Sequence, residues 1–125
     1  MSVPENKPLT RYDVVRRRSE MIVDGDTVYI GGQVSDNTAG DIEAQTLDVL
    51  CGIEKLLLEA GSDRKNVLSV RILLAHRADY EGMNRVWDSW FPEGYAPTRA
   101  CTLAELINPD WRLEMIVVAR LAGLA

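Results

Sequence analysis

The chain is short of the residues from which most metal and redox sites are built. It has one histidine, His76, and two cysteines, Cys51 and Cys101, which stand 50 positions apart and in no Cys-x-x-Cys pair. That excludes a disulfide framework and a zinc ribbon. Carboxylates alone would have to hold a metal, and no such cluster stands out, so neither a metal nor a cofactor is expected. A Ser-His-Asp or Cys-His nucleophile would need His76 as its base. A histidine directly after the apolar run VRILLA reads better as a strand-end residue.

Long apolar runs are missing as well. None approaches the ~20 residues needed to cross a bilayer, and the opening MSVPENKPLT lacks the apolar core of a signal peptide, so the chain is expected in the cytoplasm. Positive charge is also scarce: a net charge of -5 argues against a general polyanion-binding role, nucleic acid included. The one basic concentration, Arg11, Arg16, Arg17 and Arg18, reads as a solvated strand edge.

What is present is a core. With 125 residues and 46% apolar composition, the chain fits one domain, residues 1–125, able to bury roughly two thirds of its unfolded surface. Residues 1–9, with two prolines and several polar side chains, are expected to be flexible. SEMIVDGDTVYIGGQV reads as a hairpin about Asp24-Gly25-Asp26, where Gly25 supplies the positive φ of a tight turn. A glycine-rich loop follows. From Asp41 to Ala60, Thr46, Val49, Leu50, Ile53, Leu56, Leu57 and Ala60 recur at spacings of three and four, one face of a helix that Gly61 stops and Asp41 begins. NVLSVRILLA alternates Leu68, Val70, Ile72 and Leu74 against Ser69 and Arg71, a half-covered strand. Tyr80, Met83, Trp87 and Trp90 form a helical stripe whose two tryptophans are assigned to the core. Two strands about the turn Asn108-Pro109-Asp110 close the chain.

The order β-β-α-β-α-β-β describes an α+β fold in which crossover helices cover one face of one sheet. The other face would be too apolar for water, so self-association is expected. Two charges interrupt the final strands, Arg99 and Glu114. An unpaired buried charge costs several kcal/mol, so they either pair with each other across neighbouring strands or serve a ligand.

Several stretches taken together resemble the RidA/YjgF family. PTRAC, followed by Leu113-Glu114 at 15 positions beyond the arginine, is similar to the family's closing signature. VYIGGQV is similar to its second strand and Gly-Gln, the passage IEAQ to LLA to its helix-to-strand segment, and DYEGMNRVWDSWFP to its second helix. The resemblance covers about Ser19 to Arg120. It implies a chorismate-mutase-like fold, one mixed sheet with two helices on one face, assembled as a trimeric barrel with clefts between subunits. It further implies hydrolysis of reactive enamines and imines such as 2-aminoacrylate to a 2-keto acid and ammonia. Matched by residue, Arg99 would bind the substrate carboxylate, Glu114 would hold or activate the attacking water, and Gly31, Gly32, Asn84 and Cys101 would contact the ligand or line the cleft. Cys101 is expected to pack and not to act as a nucleophile. Gly31 and Arg18 stand where the deaminase branch has a serine and a tyrosine, and Arg18 would add a second anion contact. The expected partners are a small carboxylate-bearing substrate and two further copies of the chain. A trimeric carboxylate binder without turnover is the alternative, and a ribonuclease a third reading that the acidic chain and single histidine oppose.

Overall fold

The computed structural model describes residues 8–123. Six strands and two helices follow one another as β1 (Leu9–Tyr12), β2 (Met21–Asp24), β3 (Thr27–Gln33), α1 (Ile42–Ala60), β4 (Val67–Leu74), α2 (Tyr80–Trp90), β5 (Thr98–Leu103) and β6 (Leu113–Arg120). They build one mixed sheet in the order β1-β2-β3-β6-β4-β5. All neighbours run antiparallel except β4 and β5. This is the expected α+β layout with one strand more, because β1 precedes the hairpin and pairs along β2. The flexibility expected of residues 1–9 concerns mainly residues 1–7, outside the described residues; Leu9 already stands in β1, opposite Asp24.

Local chemistry sets the element ends. Asp24 faces Thr27 across a two-residue turn in which Gly25 has φ +60°, the conformation a side chain would resist. Asp41 caps α1, its Oδ1 accepting from the Ala44 N–H at 2.8 Å, and Gly61 ends it at φ +91°. The face that periodicity assigns to the interior is the one found there: Thr46, Val49, Leu50, Ile53, Leu56 and Leu57 are all buried. Each such side chain contributes roughly 1.5–3 kcal/mol by leaving water. Among the described residues no helix is long and apolar enough to cross a membrane.

Two expectations about the strands need correction. Leu68 does not share a face with Val70: the register shifts between Val67 and Ser69, so Val67 turns inward and Leu68 is 46% exposed. Nor are the last two strands neighbours. The connection after β5 carries the chain past β4, so β6 inserts between β3 and β4 and pairs with both.

That insertion decides the two faces of the sheet. Leu113, Met115, Val117 and Ala119 of β6 and Val70, Ile72 and Leu74 of β4 are buried beneath the helices. Arg99 lies opposite Val70 and Cys101 opposite Ile72, so both point to this helix-covered face. Glu114, Ile116 and Val118 alternate with the buried residues of β6 and take the other face. There Tyr29, 48% exposed, lies opposite Val118, while Ile116 and Val118 are half-buried.

Candidate functional site

The residues singled out by sequence fall into two groups, one on each face of the sheet. The first is built on β5 and α2. Arg99 Nη1 donates to Asn84 Oδ1 at 2.9 Å and Nη2 to the Tyr80 hydroxyl at 3.1 Å. Its guanidinium lies 5.0 Å from the ring centre of Trp87 and 5.7 Å from that of Tyr80, within cation–π range. Tyr80, Asn84 and Trp87 follow at spacings of four and three, so one face of α2 presents all three to the edge strand. No carboxylate comes within 4.0 Å of Arg99 among the described residues; the ion pairs there are Arg18–Glu20, Arg64–Glu54, Arg85–Glu43 and Arg112–Asp79. The half-buried Arg99 is therefore held in place by neutral acceptors while its charge stays uncompensated.

Arg99 opens onto a cleft of about 680 Å³, shared with Leu74, Arg77, Tyr80, Glu81, Cys101, Thr102 and Leu103. Burial pushes the Cys101 thiol above its ordinary value, and the nearby Arg99 offsets this only in part. A neutral thiol packed against the core is a poor nucleophile, which fits the packing role expected of it.

The second group gathers about Glu114. Between Ile30 and Gln33 the register of β3 against β6 shifts, so Gly31 and Gly32 together face Ile116. The bulge brings the Gly32 backbone against the Glu114 carboxylate: a Cβ built on Gly32 would stand 2.9 Å from Glu114 Cδ, closer than real contacts allow. Only glycine leaves this carboxylate its place. Gly31 is different, since a Cβ there would meet the Glu20 and Ser19 carbonyls at 3.4 and 3.6 Å, ordinary contact distances. The Gly31 N–H donates to Glu20 O at 3.0 Å, and its carbonyl accepts from Gln33 Nε2 at 3.0 Å. Gln33 Nε2 also reaches Glu20 Oε1 at 2.7 Å, and Glu20 pairs with Arg18 at 3.2 Å. Within one chain Arg18 is thus tied to this network and not to the Arg99 cleft.

Within one chain the two groups do not meet. Arg99 is opposite Val70, which is opposite Val117, whereas Glu114 is opposite Leu73. Two strands across and three residues along put their Cα atoms on the order of 14 Å apart, with the side chains on opposite faces. Direct pairing of Arg99 with Glu114 inside the chain is ruled out by this geometry. Tyr80 is the site residue that periodicity alone places on the apolar stripe. The signal that finds it is Asn84, a polar residue on the same helical face as Tyr80 and Trp87.

Comparison with known proteins adds the following. Residues 9–121 match the family model described as endoribonuclease L-PSP. The chain is similar to a RutC family protein of Haemophilus ducreyi, 39% identical over 111 residues, 89% of this chain and 95% of that one. It is 40% identical over 80 residues, 64% of this chain and 63% of the other, to a protein of Acinetobacter baylyi named 3-aminoacrylate deaminase RutC. Among solved structures, an uncharacterised protein of Pseudomonas aeruginosa superposes with TM-score 0.90 at 64% identity, covering 91% of this chain and 99% of that one. A YjgF-family member from Neisseria meningitidis gives TM-score 0.90 at 36% identity, covering 96% and 100%.

Proposed function

Since the chain belongs to the family of the endoribonuclease L-PSP model and of the RutC and YjgF proteins, we propose that it hydrolyses small imines and enamines bearing a carboxylate, in clefts between the subunits of a homotrimer. The observation that carries this reading is Arg99. A guanidinium oriented by two neutral acceptors and an aromatic face, with no carboxylate in reach among the described residues, is prepared to take an anion through paired hydrogen bonds.

The position of Glu114 supports the assembly. A carboxylate that cannot reach Arg99 in its own chain can do so from a neighbouring copy. The sheet face that carries it, with Tyr29, Ile116 and Val118, is the apolar surface such a neighbour would cover. In the composite cleft Arg99 holds the carboxylate of a 2-imino acid, and Glu114 of the adjacent copy takes a proton from water as its oxygen bonds to the imine carbon. Glu114 passes that proton to the imine nitrogen, giving the carbinolamine; it then takes the carbinolamine's hydroxyl proton and delivers it to the nitrogen as the C–N bond breaks, leaving a 2-keto acid and ammonia. Cys101 stays neutral throughout.

A second reading, carboxylate binding without turnover, is favoured by Gly31, which brings no hydroxyl and whose backbone N–H and carbonyl are both engaged within the chain. Ammonia release from a freshly generated imino acid separates the two. For the deaminase, Glu114→Gln lowers the rate of release by about 10²- to 10⁴-fold, the usual worth of a positioned acid–base group, and leaves 2-keto acid affinity near wild type. Sedimentation of both proteins gives a trimer. Keto-acid binding by a trimer that never accelerates ammonia release establishes the binder instead, and a monomer at micromolar concentration removes the composite cleft altogether.

A further inference from the structure

Tyr80, 40% exposed, lines the Arg99 cleft. Its hydroxyl oxygen accepts from Arg99 Nη2 at 3.1 Å. A guanidinium has no lone pair to offer, so the direction of this bond is settled and the hydroxyl hydrogen must point elsewhere. Among the described residues no oxygen or nitrogen accepts it. A hydroxyl that accepts from a cation is also polarised to donate more strongly through its own hydrogen. Thr102 brings another hydroxyl to the cleft, but only that of Tyr80 is bonded to Arg99.

We propose that Tyr80 donates this hydrogen bond to an oxygen on the carbon adjacent to the carboxylate that Arg99 holds, and so makes the cleft selective for 2-oxo acids over simple carboxylates. Arg99 and Tyr80 then act as a pair. The guanidinium takes the carboxylate, and the phenol beside it reads the next carbon, donating to the oxygen of the keto product or of the carbinolamine that precedes it. The inference rests on the reading of Arg99 as a carboxylate site.

The test compares two probes of nearly equal size, pyruvate and propionate, bound to the whole protein and followed by calorimetry. Pyruvate binds the wild type more tightly than propionate. Tyr80→Phe, which removes the hydroxyl both as an acceptor for Arg99 and as a donor to the ligand, weakens both probes but weakens pyruvate about three- to tenfold more than propionate, the span of one neutral hydrogen bond. Arg99→Lys weakens both. Parallel weakening of both probes by Tyr80→Phe would reduce Tyr80 to a prop for Arg99 and overturn the inference, as would no effect on either. If Arg99→Lys lowers both affinities while Tyr80→Phe leaves their ratio at the wild-type value, the inference alone falls. If neither probe binds the wild type, it falls together with the reading of Arg99.

Discussion

Two arginines of this protein lie over two tryptophans of the same helix, and they are partnered in opposite ways. Arg64, 4.4 Å from the ring centre of Trp90, donates to both carboxylate oxygens of Glu54 at 2.9 and 2.7 Å and to the Trp90 carbonyl at 2.9 Å. Arg99, 5.0 Å from the ring centre of Trp87, donates to an amide oxygen and a phenol. The first guanidinium has its anion inside the chain and ties the turn after α1 to the end of α2. The second has no anionic partner among the described residues. Stacking on an aromatic ring is common to both, so it is the missing carboxylate that sets Arg99 apart and supports its proposed role as a ligand site.

The comparison can be broken by giving Arg99 what Arg64 already has. Asn84→Asp would place a carboxylate where the Asn84 amide now accepts, neutralising the guanidinium within the chain. Small 2-keto acids should then bind at least tenfold more weakly at neutral pH, while thermal stability stays level or rises slightly. Unchanged affinity, measured by calorimetry, would mean that Arg99 does not hold the ligand's carboxylate. Arg99→Lys keeps the charge and loses the planar fork. It should weaken keto-acid binding by about 1.5 to 3 kcal/mol, the worth of a hydrogen bond to a charged group, with the melting temperature and the proposed trimer nearly unchanged. A melting temperature that falls in step with affinity would return Arg99 to the same structural role as Arg64.

Smaller effects are expected on the other side. Glu54→Gln removes an ion pair whose partners are each about one-third exposed. It should cost roughly 0.2–1 kcal/mol of stability, read from denaturant midpoints, with keto-acid affinity untouched. The pH dependence has a definite sign. The hydrogen bond from Arg64 holds the Glu54 carboxyl below its ordinary value of 4.5, burial opposing the shift and the charge of Arg64 reinforcing it. A depressed carboxylate contributes stability above its unfolded value and loses it as the pH falls through the folded one. The gap between wild type and Glu54→Gln should therefore be full at neutral pH and narrow as the pH drops below 4.5. A gap that widened in acid would contradict the pairing.

What could be read without coordinates was local. Asp41 and Gly61 bound α1 because a carboxylate accepts the free N–H groups at a helix start and glycine alone enters the left-handed region without cost. Gly25 marks the hairpin turn for the same conformational reason. The buried face of α1 follows from the 3.6-residue period, since seven apolar positions must all turn the same way. Arg99 and Glu114 could be chosen as candidates because each is a charge in a segment otherwise patterned for burial, whereas Asn84 comes only from the family resemblance. Leu68 and Tyr80 were not legible. Strand alternation carries no record of a bulge, and a tyrosine on an apolar stripe looks the same whether its hydroxyl meets solvent or a guanidinium.

The tertiary structure alone decided how the pieces were arranged. β1 has four residues with little burial, too few for a periodic signal, and exists because β2 offers it an edge. β6 leaves its sequence neighbour and enters between β3 and β4, where its alternate residues are buried under the helices. That choice of place sends Arg99 to one face of the sheet and Glu114 to the other. From sequence, fifteen positions separate two charges that could equally have been partners. Hydrogen-bonded register, a property of strands far apart in the chain, is what holds them apart, because successive side chains alternate faces and an intervening strand adds its full width.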